Sequence, residues 1–175
     1  GTLREEILGG VAADDPQRLS AALAKHGVQA GRPLGFDNTY AIGMREARAA
    51  TLGIRTISDL ARHPELRFGL TSEFMDRADG WPGLQRRYGL TPAQVRGLEH
   101  DLAYRALASG TLDVTDLYST DADITFYGLR VLEDDRHYFP EYQALFLYRI
   151  AFVRDHPRLH AAIERLAGRI DAPAM

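Results

Sequence analysis

Three tyrosines carry the chemistry that the residue types suggest first. Tyr40, Tyr118 and Tyr142 each fall on or at the end of a predicted strand, beside the polar neighbours Asn38-Thr39, Ser119-Thr120 and Gln143. Strand ends and the loops after them are where open α/β sheets collect ligands. Converging phenol rings can hold a quaternary ammonium group through their ring quadrupoles. The same residues also read as amphipathic core side chains whose hydroxyls reach water. Spacing alone leaves both readings open.

Other candidate chemistry is thinner. His156, His160 and Glu164 recur at four-residue intervals on a predicted helix. A zinc site needs a further ligand and the HExxH order is absent, so this reads as a solvated helix face and no metal is expected. Acidic residues gather at Asp113, Asp116, Asp121, Asp123, Glu133, Asp134 and Asp135 without the spacing of a calcium loop. Helix caps and turns account for most of them. No GxSxG elbow, P-loop or GxGxxG is present, so nothing supports an enzyme or a cofactor.

Composition narrows the class. The chain has 175 residues, 26% of them charged, and a formal net charge of −3. It contains one lysine, Lys25, and its arginines are scattered, which disfavours nucleic acid as a partner. It has no cysteine, which excludes thiol catalysis, cysteine zinc sites and disulfides. The longest apolar run, 144–153, is interrupted by Arg149 and too short to span a bilayer.

The elements that must position the tyrosines alternate. Strands are predicted over 34–44, 67–70, 112–118, 129–132 and 142–150. Helices are predicted over 3–9, from Asp14-Asp15-Pro16 to Gly27, and over 45–53, 56–62, 73–76, 84–88, 101–109, 121–126 and 156–169. The 101–109 helix is expected to turn Leu102, Ala106 and Leu107 inward. Such alternation argues for an α/β layer structure.

Four segments in this order carry a resemblance: PLGFDNTYAI (33–42), TISDLARHPELRFGLTSEFMDRADGWPGLQRRYGL (56–90), YRALASGTLDVTDLYSTDADI (104–124) and VLEDDRHYFPEYQAL (131–145). Together they resemble the substrate-binding proteins of ABC importers for glycine betaine, choline and related osmoprotectants. Some members of that family are separate secreted or lipid-anchored proteins, and others are fused to the permease.

The resemblance implies an α/β, type II periplasmic-binding-protein-like fold: one complete lobe plus part of a second, joined by two crossing strands. Residues 1–33 would belong to the incomplete first lobe, 34–149 to the second lobe with the crossing strands at its ends, and 150–175 to a helix returning to the first. The opening half of the first lobe would lie upstream of Gly1, and a short stretch would follow Met175. The resemblance further implies an extracytoplasmic, non-enzymatic solute-binding subunit that uses no cofactor and delivers a quaternary amine to a permease. Tyr40, Tyr118 and Tyr142 would be cage walls, Asn38 would border the pocket, and Thr2 would help hold a ligand carboxylate. Asp37 stands where many members have Asn. The competing expectation is a truncated or diverged module that self-associates through its incomplete lobe, as a homodimer or by domain swapping.

Overall fold

The computed structural model describes residues 16–140 and 142–175. Thr2, the predicted 3–9 helix and the Asp14-Asp15 cap lie outside the described residues. The chain divides into two compact units, residues 1–38 with 141–175, and residues 39–140.

In the first unit, α1 (Pro16–Lys25) leads into β1 (Val28–Asp37), which pairs antiparallel with β7 (Gln143–Arg149) from Val28 opposite Arg149 to Asp37 opposite Gln143. Gly35, at φ 122°, lets this strand pass the 168–170 backbone, where a Cβ would meet the Ile170 carbonyl. The short helices α7 (Ile150–Asp155) and α8 (Pro157–Ile163) and a 3-10 turn at Glu164–Leu166 follow. The predicted single strand over 34–44 is therefore two strands, broken at Asn38-Thr39. The predicted strand through Ile150 ends at Arg149, where helical geometry takes over.

In the second unit, β2 (Tyr40–Arg45) runs antiparallel between β5 (Thr115–Tyr118) and β6 (Leu129–Val131). Beside the start of β5 lies β3 (Arg67–Thr71), with Phe68 bridging Val114, and β3 pairs in parallel with β4 (Gln94–Leu98). Sequence patterning does not predict the 94–98 strand. Its alternation spans only Gln94-Val95-Arg96 and breaks at Gly97, and the edge it pairs with is supplied by a distant segment, residues 67–71.

The helices cover both faces of this sheet. One face carries Ile42, Met44, Phe68, Leu70 and Val114 against α2 (Glu46–Leu52), α3 (Ser72–Asp76) and α4 (Trp81–Tyr88), with Phe74, Trp81, Leu84 and Tyr88 buried among them. The other face packs Ala41, Leu112, Leu117 and Leu129 against Tyr104 and Leu107 of α5 (His100–Ala108). Leu102, expected to point inward, is 51% exposed, because Ala103, Tyr104 and Leu107 form the buried stripe. The last helix of this unit, α6 (Ala122–Phe126), buries no residue.

The 113–135 acids divide in ways spacing does not reveal. Asp113 and Asp116 are not turn residues but buried anchors. Asp113 binds Arg67 at 2.8 Å and lies 3.7 Å from Arg48. Burial works to raise its carboxyl, and the two arginines outweigh that and hold it below the usual range. Asp134 accepts the Tyr88 hydroxyl and the backbone N–H groups of Tyr138 and Phe139, and Asp135 accepts the N–H of Ser58. The acidic VLEDD turn thus fastens the 131–140 segment to the helical face.

Candidate functional site: an aromatic cluster at the end of β2 and β5

Tyr40 and Tyr118 are directly opposed across the β2–β5 ladder. The strand pairing that the two segments form therefore brings their rings together, with centroids 5.0 Å apart and planes tilted by 32°. The Tyr118 hydroxyl lies 3.5 Å from that of Tyr40, and Tyr40 donates to Glu73 Oε1 at 3.0 Å. Phe74 backs the Tyr40 ring at 5.0 Å and Phe139 approaches it at 6.4 Å. Tyr40 is 6% exposed, while Tyr118 is half-buried and presents the more open ring.

Both phenols are held above their ordinary pKa, chiefly by burial, so both are neutral throughout the physiological range. Neutral rings matter for a ligand of fixed charge: they offer quadrupoles rather than an ion pair that would need separate desolvation.

The surroundings of the pair are built from α3, α4 and α5. At the β3–α3 junction Thr71 Oγ1 accepts the N–H of Phe74 and so caps α3. The same threonine donates through N–H (2.6 Å) and Oγ1 (2.7 Å) to the carboxyl of Asp116, two residues before Tyr118. This buried latch ties the start of α3, which carries Glu73 and Phe74, to the strand that carries Tyr118. Burial pushes the Asp116 carboxyl up, against the two hydrogen bonds that favour its charge. After α3, Arg77 lies 5.9 Å from the centre of the Tyr40 ring and makes a two-pronged pair with Asp79, both bonds at 2.8 Å. Gly80 permits that tight turn, since a Cβ there would strike the Phe74 carbonyl.

Tyr118 is fixed from its other side. Asp121 Oδ2 accepts the Tyr118 N–H at 2.9 Å and the Tyr104 hydroxyl at 2.5 Å, and lies 3.2 Å from His100 Nε2. The His100 ring lies 5.4 Å from that of Tyr118. The YSTD turn is thus a strand end whose aspartate aims the tyrosine.

The other expected site residues belong to the first unit. Asn38 donates its backbone N–H to the Tyr142 carbonyl at 3.0 Å, which places these two residues side by side just beyond the β1–β7 ladder. Thr2 is outside the described residues. The structure therefore brings together Tyr40 with Tyr118, and Asn38 with Tyr142, each pair within its own unit. Sequence reasoning missed Glu73, Phe74, Arg77 and Phe139. Three of them sit in SEFMDR, inside the 56–90 segment that carries the family resemblance, and that is the signal that could have found them.

The histidine face needs correction. His160 packs edge-on against Tyr148 at 4.6 Å. Glu164, only 16% exposed, takes the Tyr148 hydroxyl at 3.0 Å and Arg32 at 3.1 Å. That stripe is a packed contact with β7, because Glu164 sits on the 3-10 turn that folds back onto the strand. Among the described residues no group of three acidic or histidine side chains is arranged to hold a metal.

A sequence profile of the substrate-binding domain of ABC-type glycine betaine transport systems matches residues 10–175. The chain belongs to that family. Its curated relatives include the carnitine transport binding protein OpuCC of Listeria monocytogenes, 31% identical over 175 residues, covering 96% of this chain and 57% of that protein. The glycine-betaine-binding protein of Pseudomonas aeruginosa is 34% identical over 156 residues, 82% of this chain and 50% of that protein. An ergothioneine transport permease/binding protein of Helicobacter pylori is 32% identical over 143 residues, 81% of this chain and 26% of that protein. The chain thus spans between about a quarter and three-fifths of the length of these relatives. Among solved structures, a glycine betaine/carnitine/choline ABC transporter protein superposes with a TM-score of 0.79 at 35% identity, covering 99% of this chain and 66% of that one. YehZ of Escherichia coli, at a TM-score of 0.65 and 20% identity, shares the fold. The fold is the α/β, periplasmic-binding-protein-like one, and the family is one of substrate-binding domains rather than enzymes.

Proposed function

We propose that this family member is the solute-capturing part of an ABC importer whose cargo carries a quaternary ammonium group, and that the cargo's cationic head rests on Tyr40 and Tyr118. The observation that supports this most directly is the opposed tyrosine pair at the end of β2 and β5, with centroids 5.0 Å apart and backed by Phe74. A trimethylammonium group has no N–H donor, so ordinary hydrogen bonding cannot recognise it. Aromatic faces can, at about 0.5–2 kcal/mol each depending on desolvation. Glycine betaine, carnitine, choline and ergothioneine, named for the relatives, all share that head group.

Tyr142, Asn38 and Thr2 belong to the same proposal as residues whose loss weakens binding, with Thr2 serving a cargo carboxylate. So do the lobe boundaries at 33/34 and 149/150, a permease partner and an extracytoplasmic location. No helix among the described residues is long and apolar enough to cross a membrane.

Titration calorimetry of the chain with glycine betaine, choline and carnitine tests the reading. Saturable heat with at least one of them is the expected result. Its loss in Tyr118→Ala and Tyr142→Ala variants of unchanged circular dichroism supports the aromatic contacts. Silence toward every quaternary amine rejects the cargo class.

A further inference from the structure

We infer that Glu73 is a specificity-determining residue of the aromatic site, supplying the negative charge that makes the Tyr40–Tyr118 pair select a cation over a neutral group of the same shape. The inference rests on the reading given under Proposed function and adds to it a residue outside the tyrosine set.

The argument is one of local charge. Arg77, 9% exposed, holds its guanidinium 5.9 Å from the Tyr40 ring centre. Alone, that fixed cation would occupy the ring quadrupole and repel a second cation arriving beside it. Asp79 cancels it with two 2.8 Å hydrogen bonds, a planar two-pronged pairing that leaves the couple close to neutral from outside. Glu73 is the carboxylate that this two-pronged pairing does not engage. It stands 3.6 Å from Arg77 Nη1, a looser contact than that of Asp79, and its side chain is 59% exposed. These three side chains by themselves sum to one net negative charge, and Glu73 is the carboxylate bonded directly to Tyr40.

Glu73 also acts through the phenols. The Tyr40 hydroxyl donates to its carboxylate, and the Tyr118 hydroxyl in turn points at the Tyr40 oxygen. The Tyr40 O–H dipole is thereby oriented toward the carboxylate, and a phenol that donates to an anion is the more electron-rich ring. Glu73, in the first turn of a five-residue helix, favours the helix dipole whether or not it receives the Tyr40 hydroxyl. Thr71 already caps that helix, and Asp116 already fastens it.

Glu73→Gln keeps the length and one acceptor oxygen for Tyr40 while removing the charge. The experiment compares choline with its uncharged carbon isostere, in which a tert-butyl group replaces the trimethylammonium, by calorimetry on the wild-type chain, Glu73→Gln and Glu73→Asp. One unit charge a few ångströms from the ligand through partly wet surroundings corresponds to about a five- to tenfold change in affinity. The expected result is such a fall for choline in Glu73→Gln, no more than about a twofold change for the isostere, and recovery of most of the choline affinity in Glu73→Asp. A purely structural role for Glu73 would lower both ligands alike, and that result overturns the inference, as does an unchanged choline affinity. If the wild-type chain binds no quaternary amine, the cargo reading itself fails and this inference falls with it. If the wild type binds choline and the charge is immaterial, only the role of Glu73 fails.

Discussion

The two units solve the burial problem to different degrees. In residues 39–140 the sheet is covered on both faces, and large side chains such as Phe68, Phe74, Tyr88 and Tyr104 are almost wholly removed from water. Its buried acids are paired: Asp113 with Arg67, Asp116 with Thr71. Among the described residues of the other unit the ladder has two strands, and Phe146, Leu147, Ile150 and Leu159 are more than a third exposed. Tyr148 there gathers one small packed group with Glu164, His160 and Phe152. Among the described residues, burial and hydrogen bonds between distant segments are concentrated where the tyrosine pair sits. The Tyr40–Tyr118 geometry is over-determined by strand register, by the Thr71–Asp116 latch and by Asp121, whereas Tyr142 sits just before a two-stranded ladder.

The sharpest way to break this contrast is to remove core volume from each side. Phe68→Ala, fully inside and packed 5.5 Å from Trp81, should destabilise the protein by about 3–5 kcal/mol in urea denaturation. Leu159→Ala, 52% exposed, should change it by no more than about 0.5 kcal/mol. Equal effects would mean that the two units are stabilised alike.

Next in size is the latch. Asp116→Ala leaves the buried N–H and hydroxyl of Thr71 without their acceptor and should cost about 1–3 kcal/mol. It should also weaken quaternary amine binding, since α3 loses its tie to the Tyr118 strand. Loss of stability with wild-type binding would show that the latch does not position the site.

Smaller effects separate the units by pH. Asp113 has a folded pKa below its unfolded one, so its contribution is present above the ordinary carboxylate range and is lost as pH falls through the folded value. Asp113→Asn should therefore flatten the acid limb of a stability–pH curve. Asp116 has the opposite sign: its raised pKa makes its contribution fullest at low pH and smaller as pH rises. Tyr148, in the other unit, is pushed up to about 12 by burial and by Glu164. The stability tied to its neutral phenol is fully present below the unfolded value and is lost between about pH 10 and pH 12. Tyr148→Phe should reduce that alkaline slope and, because its hydroxyl also helps hold the Glu164 carboxyl low, slightly flatten the acid limb, as followed by circular dichroism across both ranges.

Much of the fold was legible because local chemistry and tertiary packing agree. Gly53 and Gly89 end helices in the left-handed region, Pro82 falls in the first turn of α4, and β3 reads as a short apolar run. Legibility failed where partners are distant. The 94–98 strand exists because β3 lies beside it, the break at Asn38-Thr39 falls where the chain passes from one sheet to another, and Leu102 is outside because Tyr104 takes the inward position. At the site, Tyr40 and Tyr118 could be named from their motifs. That Glu73 receives the Tyr40 hydroxyl could not, since thirty-three residues separate them.

The order of residues by itself determined the alternation of strands and helices and the family likeness, because these depend on short-range patterns of apolar, turn-forming and aromatic side chains. Only the tertiary structure decided which acids are buried anchors, which strand ends oppose one another, and which carboxylate receives the Tyr40 hydroxyl. Those are properties of side chains far apart along the chain, and burial, which sets both the strength of a charge and the cost of leaving it unpaired, does not exist until the chain has folded.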